Sequence, residues 1–305
     1  MKVSPVALVA ALLAGCASRP MPPAPGVAAA PAAAATEDGG RIVGGTEAGY
    51  ATAPWQVRLV YASRTASSQC GGVLIRDEWV LTARHCVEEK NTRFDLPTAI
   101  AAITLTAGHL FIGNTPPKED ARLLQRRQID RVEFPRPQET LPNGVKLDDV
   151  ALLHVTAPFT LGVRTPGPEF ARSPRKIALP PADATFPRQG DGQISGWGKT
   201  ATASYSLQLL YADVDILPAD ECPAASGLPP PFPQKLICAW KARAAAATNS
   251  TTCQGDSGGP LILQGSPPIL VGLVSKARGC GPNAALFTRV SYYVPWINSV
   301  IGAEE

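Results

Sequence analysis

The chain has 305 residues, 45% of them apolar and 17% charged, enough to bury a substantial core as one large domain or two compact ones. That composition excludes a disordered or fibrous protein. The net charge of +3, from 28 Lys and Arg against 25 Asp and Glu, gives no reason to expect a nucleic-acid partner.

Met1 and Lys2 precede an apolar run over 6–14 that is too short to span a membrane as a folded helix. With seven cysteines in the chain, this start fits an exported protein, in a compartment where disulfides persist. Leu13-Ala14-Gly15-Cys16 closes the run and resembles the lipobox of bacterial lipoproteins, which makes 1–15 a signal peptide and Cys16 the lipidated residue. The alternative is an ordinary signal peptide that happens to contain a cysteine. In a Gram-negative cell the resemblance implies an outer-membrane or cell-surface anchor.

From 16 to 41 the composition collapses to Ala, Pro, Gly and a few polar residues, too little apolar bulk to offset ordering entropy, so this stretch reads as a tether and propeptide. Beyond it, short β-branched runs at 57–61, 72–75, 99–107 and 269–274 are separated by Gly, Pro and Asn. They predict many short antiparallel strands. A Pro- and Arg-rich stretch at 165–175 reads as the crossover between two halves, about 42–170 and 171–305. At the end, Tyr292, Tyr293, Trp296, Ile297, Val300 and Ile301 recur at three- and four-residue intervals and predict a helix with one apolar face.

The most specific motif is Gly255-Asp256-Ser257-Gly258-Gly259-Pro260, a serine among glycines that allow tight turns and close approach of a substrate carbonyl. A serine hydroxyl needs a base, and the chain has three histidines. His85, in Leu81-Thr82-Ala83-Arg84-His85-Cys86, sits beside a cysteine that could lock its loop; His109 and His154 read as partly exposed strand residues. A histidine base must be held in one tautomer by an acceptor. Asp149, immediately before the apolar run 150–153, is the candidate, with Asp148 read as its solvated neighbour.

These segments resemble the signature stretches of the chymotrypsin/trypsin family of serine peptidases. The order His85, Asp149, Ser257 matches that family, and further matches are Arg41-Ile42-Val43-Gly44-Gly45, Pro54-Trp55-Gln56-Val57, Cys70-Gly71-Gly72, Gly196-Trp197-Gly198 and Tyr293-Val294-Pro295-Trp296-Ile297. The resemblance covers 42 to about 302. It implies an all-β fold of two perpendicular six-stranded barrels with a C-terminal helix, forming a peptidase domain over 42–305.

By the same resemblance, Ser257 attacks the scissile carbonyl, His85 takes its proton and Asp149 orients the imidazole, while the N–H groups of Gly255 and Ser257 form the oxyanion hole. Cleavage after Arg41 would free an Ile42 ammonium to pair with Asp256. The disulfides implied are Cys70–Cys86, Cys222–Cys238 and Cys253–Cys280. No cofactor or metal is expected. Expected partners are protein or peptide substrates, protein inhibitors and an activating trypsin-like protease, with the enzyme itself a monomer.

Departures from the family pattern concern specificity. Thr251 stands six residues before the nucleophile, where an Asp would receive Lys or Arg, and alignment through Ser275 puts Ala277 and Ala285 at walls where open pockets have glycine. A small or medium apolar P1 residue is therefore expected. Lys276 replaces an aromatic platform, which suggests acidic residues at P2 to P4, and Arg84 stands where a small residue is usual. Two other functions fit the same residues: a catalytically silent surface binding module, and an esterase or amidase acting on small acyl substrates.

Overall fold

The alternation of β-branched runs with Gly- and Pro-rich breaks becomes an all-β body in the computed structural model. The structure describes residues 42, 44–62, 67–88, 100–162, 172–186, 189–200, 205–241, 250–276, 280 and 283–302, all within one unit, Gly39–Glu305. The expectations placed on Cys16, Arg41, Ala277, the apolar run 6–14 and the tether lie outside those residues, as do most of the crossover stretch and the centre of the 241–250 insertion.

A two-residue strand β1 (Thr46–Glu47) leads into β2 (Gln56–Ala62), β3 (Ser67–Leu74), β4 (Trp79–Thr82), β5 (Ile103–Ala107), β6 (Gln125–Glu133) and β7 (Ala151–Val155). Strands β2 to β7 close into an antiparallel barrel in the order β2-β3-β4-β7-β6-β5. A second set follows: β8 (Gln189–Gly196), β9 (Leu210–Leu217), β10 (Leu236–Trp240), β11 (Pro260–Leu263), β12 (Ile269–Lys276) and β13 (Ala285–Arg289). Pairing of β8 with β9 closes this sheet into a second six-stranded barrel, and β1 adds to the edge of β9. Closure removes the free edges that an open sheet of this size would leave for aggregation.

Each barrel fills with its inward-facing residues. Val57, Leu59, Leu105, Ala151 and Leu153 pack inside the first, and Ile194, Leu210, Val214, Val271 and Phe287 inside the second. Ile42 is wholly buried in that second core. A third cluster lies between the barrels, where Trp55, Val73, Leu81 and Leu152 meet Trp197, Leu209, Leu273 and Ile297. Burial of aromatic and aliphatic area on this scale ties the two halves together.

Three helices stand beside the strands among the described residues: α1 (Lys118–Leu123), α2 (Cys222–Ser226) and α3 (Val290–Ile301). The periodicity at the chain end predicted only α3, because one- or two-turn helices are too short to show a repeat. The expected apolar face of α3 packs on the cluster between the barrels through Tyr293, Trp296, Ile297, Val300 and Ile301, and only Tyr292 departs from it. Val290, Tyr293, Val294 and Ile297 are buried, whereas Tyr292 is exposed and lies 5.5 Å from the Lys235 ammonium. Among the described residues no helix is long and apolar enough to cross a membrane.

Candidate active site

The site forms where loops from both barrels meet. His85 sits in a single 3₁₀ turn, Arg84–Cys86, directly after β4, and the Cys70–Cys86 disulfide fastens that turn to β3. Asp149 is buried just ahead of β7. His85 donates its backbone N–H to Asp149 Oδ1 at 2.9 Å, and its Nδ1 lies 2.8 Å from Oδ2. That second contact fixes the ring and leaves Nε2 facing away from the carboxylate.

Two further donors reach Asp149 from the second barrel. Ser275 Oγ, on β12, donates to Oδ2, and Thr288 Oγ1, on β13, donates to the Asp149 carbonyl at 2.8 Å. Burial alone would push this carboxyl up, but the bonds from His85 and Ser275 outweigh it and hold it below the usual carboxylate range. Ser275, expected at the pocket wall, thus belongs through its side chain to the Asp149 site.

Asp148 is not the solvated neighbour that its position suggests. It is buried, accepts from the Glu139 N–H at 2.6 Å and from Lys235 Nζ at 2.8 Å, and lies 3.0 Å from Tyr293 Oη on α3. Arg84 also finds a local place, in a two-contact ion pair with Glu88 at 2.7 and 3.0 Å and stacked 4.6 Å from the Phe134 ring centre. It therefore does not point at His85's partners.

The Ser257 loop packs on the first barrel, with the Gly71 N–H donating to the Ser257 carbonyl at 2.7 Å. The backbone around the serine has a distinctive pattern. Asp256, Gly258 and Gly259 donate their N–H groups to the Cys253, Val274 and Asp256 carbonyls, while those of Gly255 and Ser257 have no acceptor among the described residues. Gly255 reaches this arrangement at φ +97°, and a Cβ there would stand 2.7 Å from Tyr205 Cε1 and 3.2 Å from Gln69 Nε2. Gln69 is itself held, donating to the Trp197 carbonyl at 2.8 Å. Among the described residues no hydrogen bond joins Ser257 Oγ to His85 Nε2, which lies 3.9 Å from Cys86 Sγ.

Asp256 is buried completely and accepts from the N–H groups of Gly198 at 2.8 Å and Cys253 at 2.9 Å. Burial pushes its carboxyl up to about 6, and those two donors recover only part of the shift. Gly198 allows this close approach, since a Cβ would come within 2.4 Å of the carboxylate.

At the expected pocket floor, Thr251 and Thr252 are buried, and neither hydroxyl has a partner among the described residues. Ala285 is fully buried in β13, and Lys276 is exposed at the end of β12. Disulfides Cys222–Cys238 and Cys253–Cys280 brace the second barrel. One group of three metal-ligand side chains occurs among the described residues, Cys70, His85 and Cys86, but its two sulfurs form a disulfide and offer no thiolate. Of the other histidines, His154 is half-buried, its Nδ1 2.6 Å from Asp130. His109 is buried against Trp197 rather than partly exposed.

Comparison with known proteins places this geometry. The Trypsin family model matches residues 42–297, so the chain belongs to the trypsin family of serine peptidases. Among its relatives are tissue-type plasminogen activators: 31% identical in Pongo abelii over 85% of this chain, 31% in Homo sapiens over 84% and 30% in Bos taurus over 84%. The chain spans 44% of the length of each.

Replacing Ser275 by alanine removes one donor from an ionised, buried carboxylate and should lower stability at pH 7 by about 2 kcal/mol. Because Asp149 titrates below its unfolded value of 3.8, that contribution exists above this pH and is lost as pH falls through the folded pKa. Urea unfolding of both proteins should show the gap closing in acid; a gap unchanged at the acid end contradicts this role.

Proposed function

We propose that the chain is a serine endopeptidase in which Ser257 Oγ attacks the scissile carbonyl, His85 accepts its proton and Asp149 orients and stabilises the imidazolium. The reading rests above all on the backbone at 255–259, where the two N–H groups left without acceptors among the described residues are those of Gly255 and Ser257. Two free N–H groups beside a nucleophile can stabilise the oxyanion of the tetrahedral intermediate, each worth about 3 kcal/mol of barrier. The lack of a hydrogen bond between Ser257 Oγ and His85 Nε2 among the described residues is the observation favouring a silent binding module. Catalytic hydrogen bonds are often long before substrate binds, so that lack does not displace the peptidase reading.

Activation follows from Asp256. Its carboxylate is buried with no cation beside it among the described residues, and Ile42 already lies in the second-barrel core. Cleavage after Arg41 creates an ammonium on Ile42 that pairs with Asp256 and sets the oxyanion loop. The pocket of Thr251, Ser275, Ala277 and Ala285 takes small or medium apolar P1 residues and offers no charge to Lys or Arg, so a separate trypsin-like protease cuts at Arg41. Lys276 favours acidic residues at P2 to P4. The six cysteines of the peptidase domain are paired, which supports Cys16 as the lipid attachment point of an exported enzyme. No other cysteine lies in the tether, so activation also releases the enzyme from its anchor.

Cleaved and uncleaved protein should differ in stability in a pH-dependent way. In the uncleaved chain Asp256 ionises only near pH 6, so above its unfolded value of 3.8 its burial works against folding. The Ile42 ammonium removes that penalty. The advantage of the cleaved form should therefore be full above pH 6 and shrink as pH falls toward 4, read as the difference in thermal midpoint. A difference independent of pH contradicts the Ile42–Asp256 pair.

Peptides varied at P1, offered to protein cut after Arg41, should be hydrolysed best with Ala, Val, Thr or Leu and poorly with Arg or Phe. Ser257→Ala should lower kcat about a millionfold. Absence of turnover from protein with a verified Ile42 terminus, together with no labelling by a serine-directed phosphonate, would establish the binding module instead.

A further inference from the structure

Away from the Ser257 loop, the first barrel holds a cleft of about 360 Å³. Its floor is a row of three residues in register across neighbouring strands: Arg58 on β2 pairs with Thr106 on β5, which pairs with Arg126 on β6. Strand spacing puts the two arginine backbones roughly 10 Å apart, with a threonine hydroxyl between them. Residues next to them in sequence, Val57, Leu59, Leu105 and Ala107, fill the barrel core, so the row occupies the opposite face of the sheet.

The segment after β5 walls this row in. Asp120 on α1 accepts the N–H groups of Leu110 at 3.1 Å and Phe111 at 2.6 Å and the hydroxyl of Tyr50, which fastens the 109–120 loop in place. His109 stacks on Trp197 with ring centres 5.1 Å apart, and its Nε2 lies 3.4 Å from Thr106 Oγ1. Burial first, against the pull of Asp120 and with Arg58 and Arg126 adding repulsion, brings His109 down to about 4, so it is a neutral wall at pH 7. The cleft is thus preformed.

Its charge is not balanced. Arg58 is half-buried and held below the usual guanidinium range, by burial first and then by Arg126. Its Nε donates to Gln69 at 2.9 Å, yet neither Arg58 nor Arg126 has an ion pair among the described residues. The one carboxylate in the lining, Asp120, offsets one of the two cations, and its oxygens are taken by three neutral donors, which leaves the guanidinium charge in excess. Two neighbouring cations, one of them partly desolvated, make a site that gains energy when an anion enters.

We propose that this cleft binds an oxyanion, a carboxylate or phosphate group carried on a small organic molecule, between Arg58 and Arg126. The planar guanidinium groups offer paired N–H donors matched to either anion, and Thr106 adds a hydroxyl. The volume lies in the range of small-molecule pockets and exceeds what a bare phosphate fills. Phe111, Ile112 and Leu124 line the remainder and cover the carbon body.

The site is independent of the proposed catalysis and is tested by calorimetry on full-length Ser257→Ala protein, which cannot degrade itself or a peptide probe. Inorganic phosphate, citrate and a glutamate-rich peptide are titrated separately. Citrate should bind saturably at one site, more tightly than phosphate, and about tenfold or more weakly once Arg126→Gln is added. Arg126 is exposed, so that variant keeps the fold, and Arg58→Gln should weaken binding in the same sense. Failure of all three probes to bind saturably overturns the proposal, and so does equal citrate affinity with Arg126→Gln. Binding of the peptide alone overturns the assignment to a small molecule.

Discussion

The structure depends on one buried charge. Asp149 sits between the barrels, and a carboxylate at that depth stays ionised only if donors surround it. Those donors come from distant parts of the chain: His85 after β4, and Ser275 on β12 of the other barrel. Thr288 on β13 takes the adjacent carbonyl, and Asp148 next door ties Lys235 and the α3 residue Tyr293 to the same dipeptide. Two barrels and a terminal helix are thereby registered on residues 148 and 149. A shift of either barrel would leave the charge underdonated, which is how a two-part fold can hold a three-residue constellation in place.

Asp256 is the same residue type under opposite conditions. Among the described residues it has two backbone donors and no side-chain partner, and its carboxyl is raised where that of Asp149 is lowered. Depth is similar in both cases, so the number and kind of donors decide the direction. The contrast separates two tasks: Asp149 is suited to a standing charge that orients His85, and Asp256 to a charge awaiting a cation.

Much of this was legible in the sequence because it is local. The serine among glycines, the histidine beside a cysteine, the aspartate before a buried run and the short broken strands all lie in contiguous segments, and their order matches one family. What was hidden depends on partners far apart along the chain. Asp148 looks like a loop residue until Lys235 and Tyr293 arrive, and Ser275 shows no link to an aspartate 126 positions earlier. His109 sits at a strand end, a place that says nothing of Trp197 stacking on it from the other barrel. Periodicity found α3 but misplaced Tyr292, since an amphipathic ring beside Lys235 can lie at the rim as well as in the core.

The most direct test of Asp149's place is the kcat of Asp149→Asn protein, cleaved after Arg41, for peptide hydrolysis at neutral pH. An amide there keeps the volume but can donate to His85 Nδ1, stabilising the tautomer that cannot accept the Ser257 proton. The account predicts a loss of about ten-thousandfold with the fold intact. Activity within about tenfold of the parent would contradict it, because the charge and acceptor role assigned to Asp149 would then be unnecessary.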